Sequence, residues 1–258
     1  MTEAADSAIA DPRRHQPAPD EMKDRVVLVT GAGDGIGRAV ALALAGHGAT
    51  LILSGRTTRK LEQTYDAILA AGGAKPSIAP LNLEKALAQD YDAVADGIEK
   101  EYGRLDGLLH NAAMLGQLSP IEHYDVPTWY RVLHVNLTAA FALTQVCLPL
   151  LRKSQDASVL FTSSTVGRKG RALWGAYAVS KFGIEGLMQV LADEVRSAAR
   201  IRVNSINPGP TRTNMRVQAY PAEDRSHMPE PGAIVAPYLF LLGPASRGIS
   251  GQAFSAQG

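Results

Sequence analysis

Arg25-Val26-Val27-Leu28-Val29-Thr30-Gly31-Ala32-Gly33-Asp34-Gly35-Ile36-Gly37 decides how the rest of this chain is read. Its first six residues form a largely apolar run of strand length, as expected of a strand covered on both faces. Glycines then crowd one short turn, and a helical pattern of small and aliphatic residues runs from Gly35 to Gly48. Glycines let a backbone approach a pyrophosphate closely, and free N–H groups at a helix start favour negative charge. Strand, turn and helix in this order make Gly31, Gly35 and Gly37 a nucleotide-binding signature rather than a bare tight turn. Gly33, Asp34 and Ile36 complete the set expected to face a cofactor.

Downstream, strand and helix patterns alternate. Further strands are expected at Thr50–Ser54, Ser77–Leu83, Leu105–Asn111, Ser158–Ser163, Arg202–Asn207 and Gly251–Ser255. Helices are expected at Thr57–Ala71 and near 85–101, 127–153, 175–199 and 232–242. The rhythm predicts an α/β fold, a single Rossmann-type doubly wound parallel sheet with helices on both faces, over residues 25–258. Residues 209–231 break it: the stretch is polar, holds four prolines and reads as a substrate loop. Residues 1–24 carry three prolines and little to bury, and read as a disordered or loosely attached arm.

Composition narrows the partners. Lys plus Arg is 26 and Asp plus Glu is 25, so no basic field advertises nucleic acid or an anionic membrane. A lone cysteine, Cys147, forms no internal disulfide and rules out a multi-thiolate metal site, so no metal is expected. Val132–Leu151 is apolar but contains His134, Asn136, Thr138, Thr144 and Gln145, which suits a buried helix better than a membrane span. With no secretory signal in view, the expected location is the cytoplasm.

Two constellations carry chemistry. The second strand ends in Ser54-Gly55-Arg56, with Arg59 and Lys60 close behind and no carboxylate to grip a ribose 2′-hydroxyl. An arginine here accommodates a 2′-phosphate, so NADP(H) is favoured over NAD(H), although Asp34 adds a negative charge to the turn. Tyr177 and Lys181 stand four residues apart, which stacks them on one face of a helix. An ammonium beside a phenol is expected to lower the phenol's pKa from its reference near ~10. A tyrosine so tuned serves as general acid or base.

Thr30-Gly-Ala-Gly-Asp-Gly-Ile-Gly37, Asn111-Ala-Ala113, Asn136, Ser164, Tyr177-x-x-x-Lys181 and Asn207-Pro-Gly209, in this order, resemble the short-chain dehydrogenase/reductase family. The wording of Phe161–Arg168 and Trp174–Tyr177 is similar to its bacterial YciK-like branch. The resemblance implies that Tyr177 is proton donor or base and that Lys181 lowers its pKa and holds the nicotinamide ribose. It also implies that Ser164 holds the substrate oxygen and that Asn136 positions a water in a relay to Lys181. Pro208, Gly209, Thr211 and Thr213 would seat the nicotinamide amide and pyrophosphate. Asn82 and Leu83 would border the adenine, with Asn111 and Ala112 beside the cofactor. The chain departs from the pattern at Asn82, where relatives carry aspartate, and at His110 and Ala113. His110 is expected to be a satisfied core histidine.

Trp174 is expected to wall the substrate mouth. Arg168 and Arg212 either meet an anionic carbonyl substrate there or are merely solvated loop arginines. The leading expectation is hydride transfer between NADP(H) and a small-molecule carbonyl or alcohol by a homodimer or homotetramer. The alternative is a non-catalytic NAD(P)-sensing regulator on the same fold.

Overall fold

The computed structural model describes residues 11–198 and 200–258. Seven strands form one sheet: β1 (Val26–Thr30), β2 (Thr50–Gly55), β3 (Ser77–Pro80), β4 (Gly107–His110), β5 (Ala157–Thr162), β6 (Ile201–Asn207) and β7 (Ala253–Ser255). Their order is β3-β2-β1-β4-β5-β6-β7, and every neighbouring pair is parallel. Chain direction across the sheet reverses between β1 and β4, which opens a crevice at the carboxyl ends of the strands.

The helices are α1 (Gly35–Gly46), α2 (Thr58–Ala70), α3 (Ala88–Tyr102), α4 (Val126–Leu133), α5 (Ala139–Lys153), α6 (Gly175–Glu194), α7 (Asn214–Ala219) and α8 (Ala236–Leu242). Strand alternation sorts them into two layers. Val26 and Leu28 pack with Val94 of α3, Leu143 of α5 and Met188 of α6. Val27 and Val29 pack on the other face with Leu44 of α1, Leu61 of α2 and Phe240 of α8. Each face is apolar because every second side chain of a strand covered on both sides meets a helix. The doubly wound architecture read from the sequence is the one observed.

Three local expectations change. The single helix expected at 127–153 is α4 and α5 joined through a π-turn, His134–Thr138. By length and composition, Val126–Lys153 is long and apolar enough to cross a membrane; here Leu143, Cys147, Leu150 and Leu151 sit in the core. The 209–231 loop contains α7, started by Thr213, whose Oγ1 accepts from the Arg216 N–H at 3.2 Å. Finally, residues 11–24 are docked rather than loose. Met22 is 0% exposed, its N–H bonds the His47 carbonyl at 2.9 Å, and the His15 ring meets Phe240 edge-on at 5.3 Å. Residues 1–10 of the expected arm lie outside the described residues.

Candidate active site

The crevice is a cleft of about 730 Å³ running from the glycine turn to Tyr177 and Lys181. Thr30 closes β1 and pins it to the end of β4. Its Oγ1 donates to the Leu109 carbonyl at 3.1 Å and accepts from the Asn111 and Ala112 N–H groups at 2.9 and 3.1 Å. Gly37 has no alternative: a Cβ there would stand 2.3 Å from the Gly31 carbonyl oxygen and 2.6 Å from Asn111 Nδ2. The turn is therefore held flat against the β4 loop, where backbone can approach a ligand.

Gly31, Gly33, Asp34, Gly35, Ile36, Arg56, Asn82, Leu83, Asn111, Ala112, Pro208 and Thr213 all line the cleft, as does Ala113. Asp34 is not an isolated charge. Its carboxylate caps the Gly35 N–H at 2.8 Å and accepts from Lys60 Nζ at 2.5 Å and Asn214 Nδ2 at 3.1 Å. The Lys60 ammonium, aided by the other two donors, holds the Asp34 carboxyl below its usual range. Gly209 and Thr211 do not line the cleft. The Gln257 amide holds their segment from behind, donating to the Pro208 and Pro210 carbonyls at 2.8 Å each.

At the far end, Tyr177 (7% exposed) and Lys181 (3% exposed) are both buried on α6. Burial pushes the Tyr177 phenol up to about 12, against a smaller pull down from the Ser164 hydroxyl beside it. Burial also pushes the Lys181 ammonium down to about 8, with the Glu185 carboxylate resisting. The expectation that Lys181 tunes Tyr177 is thus not met in this arrangement. The Lys181 Nζ donates to the Thr162 carbonyl at 2.7 Å and stands 5.7 Å from the centre of the Tyr177 ring.

Ser164 ends the β5 loop and caps the short turn Thr165–Gly167. Its neighbour Ser163, passed over in the sequence, lines the cleft and is 1% exposed. Its Oγ has no hydrogen-bond partner among the described residues. Asn136 sits in the π-turn with its side chain bonded on both sides. Oδ1 accepts from the Met114 N–H at 2.7 Å, and Nδ2 donates to the Met114 carbonyl and Ser180 Oγ at 2.9 and 3.0 Å. The Asn136 amide therefore cross-links the β4 loop to α6, with both N–H donors engaged and one acceptor position of Oδ1 left over. A relay water has room nearby: a polar cavity of about 10 Å³, near the size one water needs, touches Asn136, Lys181, Thr162 and His110.

His110 is a satisfied core residue, as the sequence suggested. It stacks on Phe161 at 4.8 Å, and its Nε2–H donates to Thr144 Oγ1 at 2.8 Å, whose own hydroxyl donates to the Ala140 carbonyl. Burial, then the Lys181 charge, pushes its imidazole down to about 3.

Two of the three residues expected at the substrate are elsewhere. Arg168 turns away from the cleft to the buried Glu185, donating from Nε to Oε1 at 3.0 Å, and to the Phe254 carbonyl at 2.6 Å. Arg212 binds Glu230 at 2.6 Å and the Ser226 carbonyl at 3.1 Å, closing its own loop. Both corrections have one cause: each guanidinium has a carboxylate within reach that sequence distance conceals. Trp174 does stand beside the site, its ring 5.7 Å from that of Tyr177 and 5.9 Å from that of Tyr220.

Glu185 and Gly167 are the residues the sequence reading missed. Glu185 lies four residues beyond Lys181 on the same helix face and also accepts from Ser205 Oγ at 2.5 Å. Gly167 presses on Lys181 so closely that a Cβ would stand 2.8 Å from the Lys181 Cβ and 3.0 Å from its carbonyl carbon and oxygen. Spacing could have found the first; only tertiary contact finds the second.

A cleft at the strand-order switch of a parallel sheet, with a glycine turn at one end and buried proton-bearing side chains at the other, is the architecture of a Rossmann-type oxidoreductase. The chain belongs to the short chain dehydrogenase family, whose model matches residues 25–224. It is 49% identical over 243 residues to the oxidoreductase YciK of Escherichia coli (strain K12), across 94% of this chain and 96% of that protein. A short chain dehydrogenase from Pseudomonas syringae superposes with a TM-score of 0.93 at 54% identity, covering 94% of this chain and 98% of that one. One from Shigella flexneri 2a, crystallised with NADP, gives a TM-score of 0.91 at 48% identity over 93% and 100% of the two chains.

Proposed function

We propose that this protein is an NADP(H)-dependent oxidoreductase acting on a carbonyl or hydroxyl group, with Tyr177 as general acid in reduction and base in oxidation. The observation that carries the reading is the burial of Tyr177 and Lys181 together, with Ser164 beside the phenol, at the closed end of a cleft that begins at the glycine turn. The residues fit the cofactor: the exposed Arg56 at the end of β2 suits a 2′-phosphate, Lys60 neutralises Asp34, and the Ser163 hydroxyl waits unpartnered in the cleft wall. The Shigella relative's complex with NADP supports the same choice. When bound, NADPH supplies the hydride.

The chain's own part is placement and proton transfer. Ser164 holds the carbonyl oxygen as negative charge develops, and Tyr177 delivers the proton to that oxygen. Lys181, still charged below about 8, is the donor from which that proton is replaced. The small polar cavity beside Lys181 gives a water the place from which to return the proton. Phe141 of α5 and Val179, Phe182 and Val190 of α6 are 46–57% exposed, which supports pairing of these helices in a homodimer or homotetramer. We place the enzyme in the cytoplasm.

A screen of carbonyl compounds by cofactor oxidation, run with NADPH and NADH, tests the reading. Tyr177→Phe should keep NADPH affinity and lose roughly 10²–10⁴-fold in kcat. Equal use of both cofactors removes the role given to Arg56, and full activity in the Phe variant removes the mechanism.

A further inference from the structure

The proton-bearing end of the cleft holds little charge that a substrate could use. Leu115, Val166, Ala178 and Ala219 form a buried apolar cluster around Tyr177, with Leu118, Trp174, Met215 and Tyr220 packed against it. Met114, Leu115 and Met215 line the cleft there, joined by the neutral amides of Gln117 and Gln218. The nearby guanidiniums are already engaged. Arg216 forms a two-pronged ion pair with Glu223, donating from Nε at 2.6 Å, and lies over the Tyr220 ring at 4.0 Å. Arg131 faces Glu84 at 3.6 Å, while Arg168 and Arg212 hold Glu185 and Glu230. The exposed Arg171 donates to the Tyr220 hydroxyl at 2.7 Å. Lys181 is the cation that lines this end, and it belongs to the proton machinery.

From this pairing we infer that the substrate is a neutral carbonyl compound with an apolar body, and not a carboxylate or phosphate. The inference rests on the hydride-transfer reading above and sharpens it. An apolar body entering this wall is removed from water against Leu, Met and Trp surface, which is favourable in proportion to the area covered. An anionic group would lose its hydration and find one guanidinium not held by a carboxylate, the exposed Arg171; the others it reaches only by breaking an existing ion pair. In the step itself the carbonyl carbon gains a hydride as the C=O π pair moves onto oxygen. The oxygen takes the Tyr177 proton, leaving a secondary alcohol and NADP⁺.

The test uses two substrates of one shape: a cyclohexanone bearing a ring carboxylate, and the methyl ester of the same compound. With purified full chain and saturating NADPH, kcat/KM should be higher for the ester by roughly 10–100-fold. Glu223→Gln, which unpairs Arg216, should raise turnover of the carboxylate several-fold and leave the ester unchanged. Met215→Ala should raise KM for the ester more than it lowers kcat. Equal or better turnover of the carboxylate by the unaltered chain overturns the substrate class and leaves hydride transfer standing. Oxidation of NADPH by neither compound, in protein shown by fluorescence to bind NADPH, overturns both. A Glu223→Gln variant with no gain on the carboxylate, in chain that still prefers the ester, counts against the role given to ion pairing.

Discussion

The two ends of the sheet both bury charge, and they do so in opposite ways. At the amino ends of the strands, Arg25 (8% exposed) and Arg202 (4% exposed) each pair with Asp156 at 3.1 Å. Asp106, beside them, accepts from the Val26 N–H at 2.9 Å and the Ser154 hydroxyl at 2.5 Å. Burial works to raise the Asp156 carboxyl, but Arg202, Arg25 and Arg247 outweigh it and hold it low. At the carboxyl ends, Lys181 is as deeply buried with a carbonyl oxygen for its hydrogen bond and a carboxylate one helical turn away. Paired charge ties strands together; incompletely compensated charge keeps a proton within reach of neutral pH. Burial alone does not mark a site, and the state of pairing does.

Breaking the amino end should cost stability first. Asp156→Ala leaves Arg25 and Arg202 buried without their shared partner, an expected loss of about 3–5 kcal/mol. Tm should fall by roughly 10 °C, with turnover per folded molecule preserved. A melting curve that matches the parent's would show the network to be idle. Gly167→Ala should do the reverse. Pushing α6 away at Lys181 should lower kcat by roughly 10–100-fold, with a smaller change in Tm than Asp156→Ala gives. Stopped-flow reduction at saturating substrate decides it, and an unchanged kcat would release Gly167 from any part in placing Lys181.

The smallest effect is a shift of pH profile. Reductive turnover should fall as pH rises through about 8, where Lys181 loses its proton. Glu185→Gln removes the charge that supports the ammonium, so the midpoint should move to lower pH, while Gln can still accept from Arg168. The stability sign is opposite to that of activity. Lys181 titrates near 8 in the fold and at its ordinary 10.5 when unfolded. Between those values the unfolded chain binds more protons, so stability rises with pH. A Glu185→Gln profile superimposable on the parent's would reduce Glu185 to an anchor for Arg168.

The same contrast explains what the sequence made legible. The glycine turn, the alternation of strands and helices and the Tyr177–Lys181 spacing are written in backbone requirements and helix periodicity, and these survive without tertiary knowledge. The fate of an arginine does not. Arg168 and Glu185 are 17 residues apart, and Arg212 and Glu230 are 18. Nothing local says that either pair will meet, so both arginines looked free to greet an anion. Helix α7 hid inside a proline-rich loop because its six residues are too few for a period to emerge. The docked segment before β1 was missed because few side chains carry it, chiefly Met22 and His15.

The π-turn at His134–Thr138 gives the long rod of α4 and α5 one residue more than its length requires. That surplus lets Asn136 reach inward to Met114 and Ser180 while Leu143 and Cys147 keep their places in the core. Deleting any one of these five residues would leave composition and hydropathy almost untouched. It would nonetheless return the rod to plain α-helix, keeping the core contacts and drawing Asn136 away from its anchor. Length, at this one spot, is as strictly constrained as residue identity.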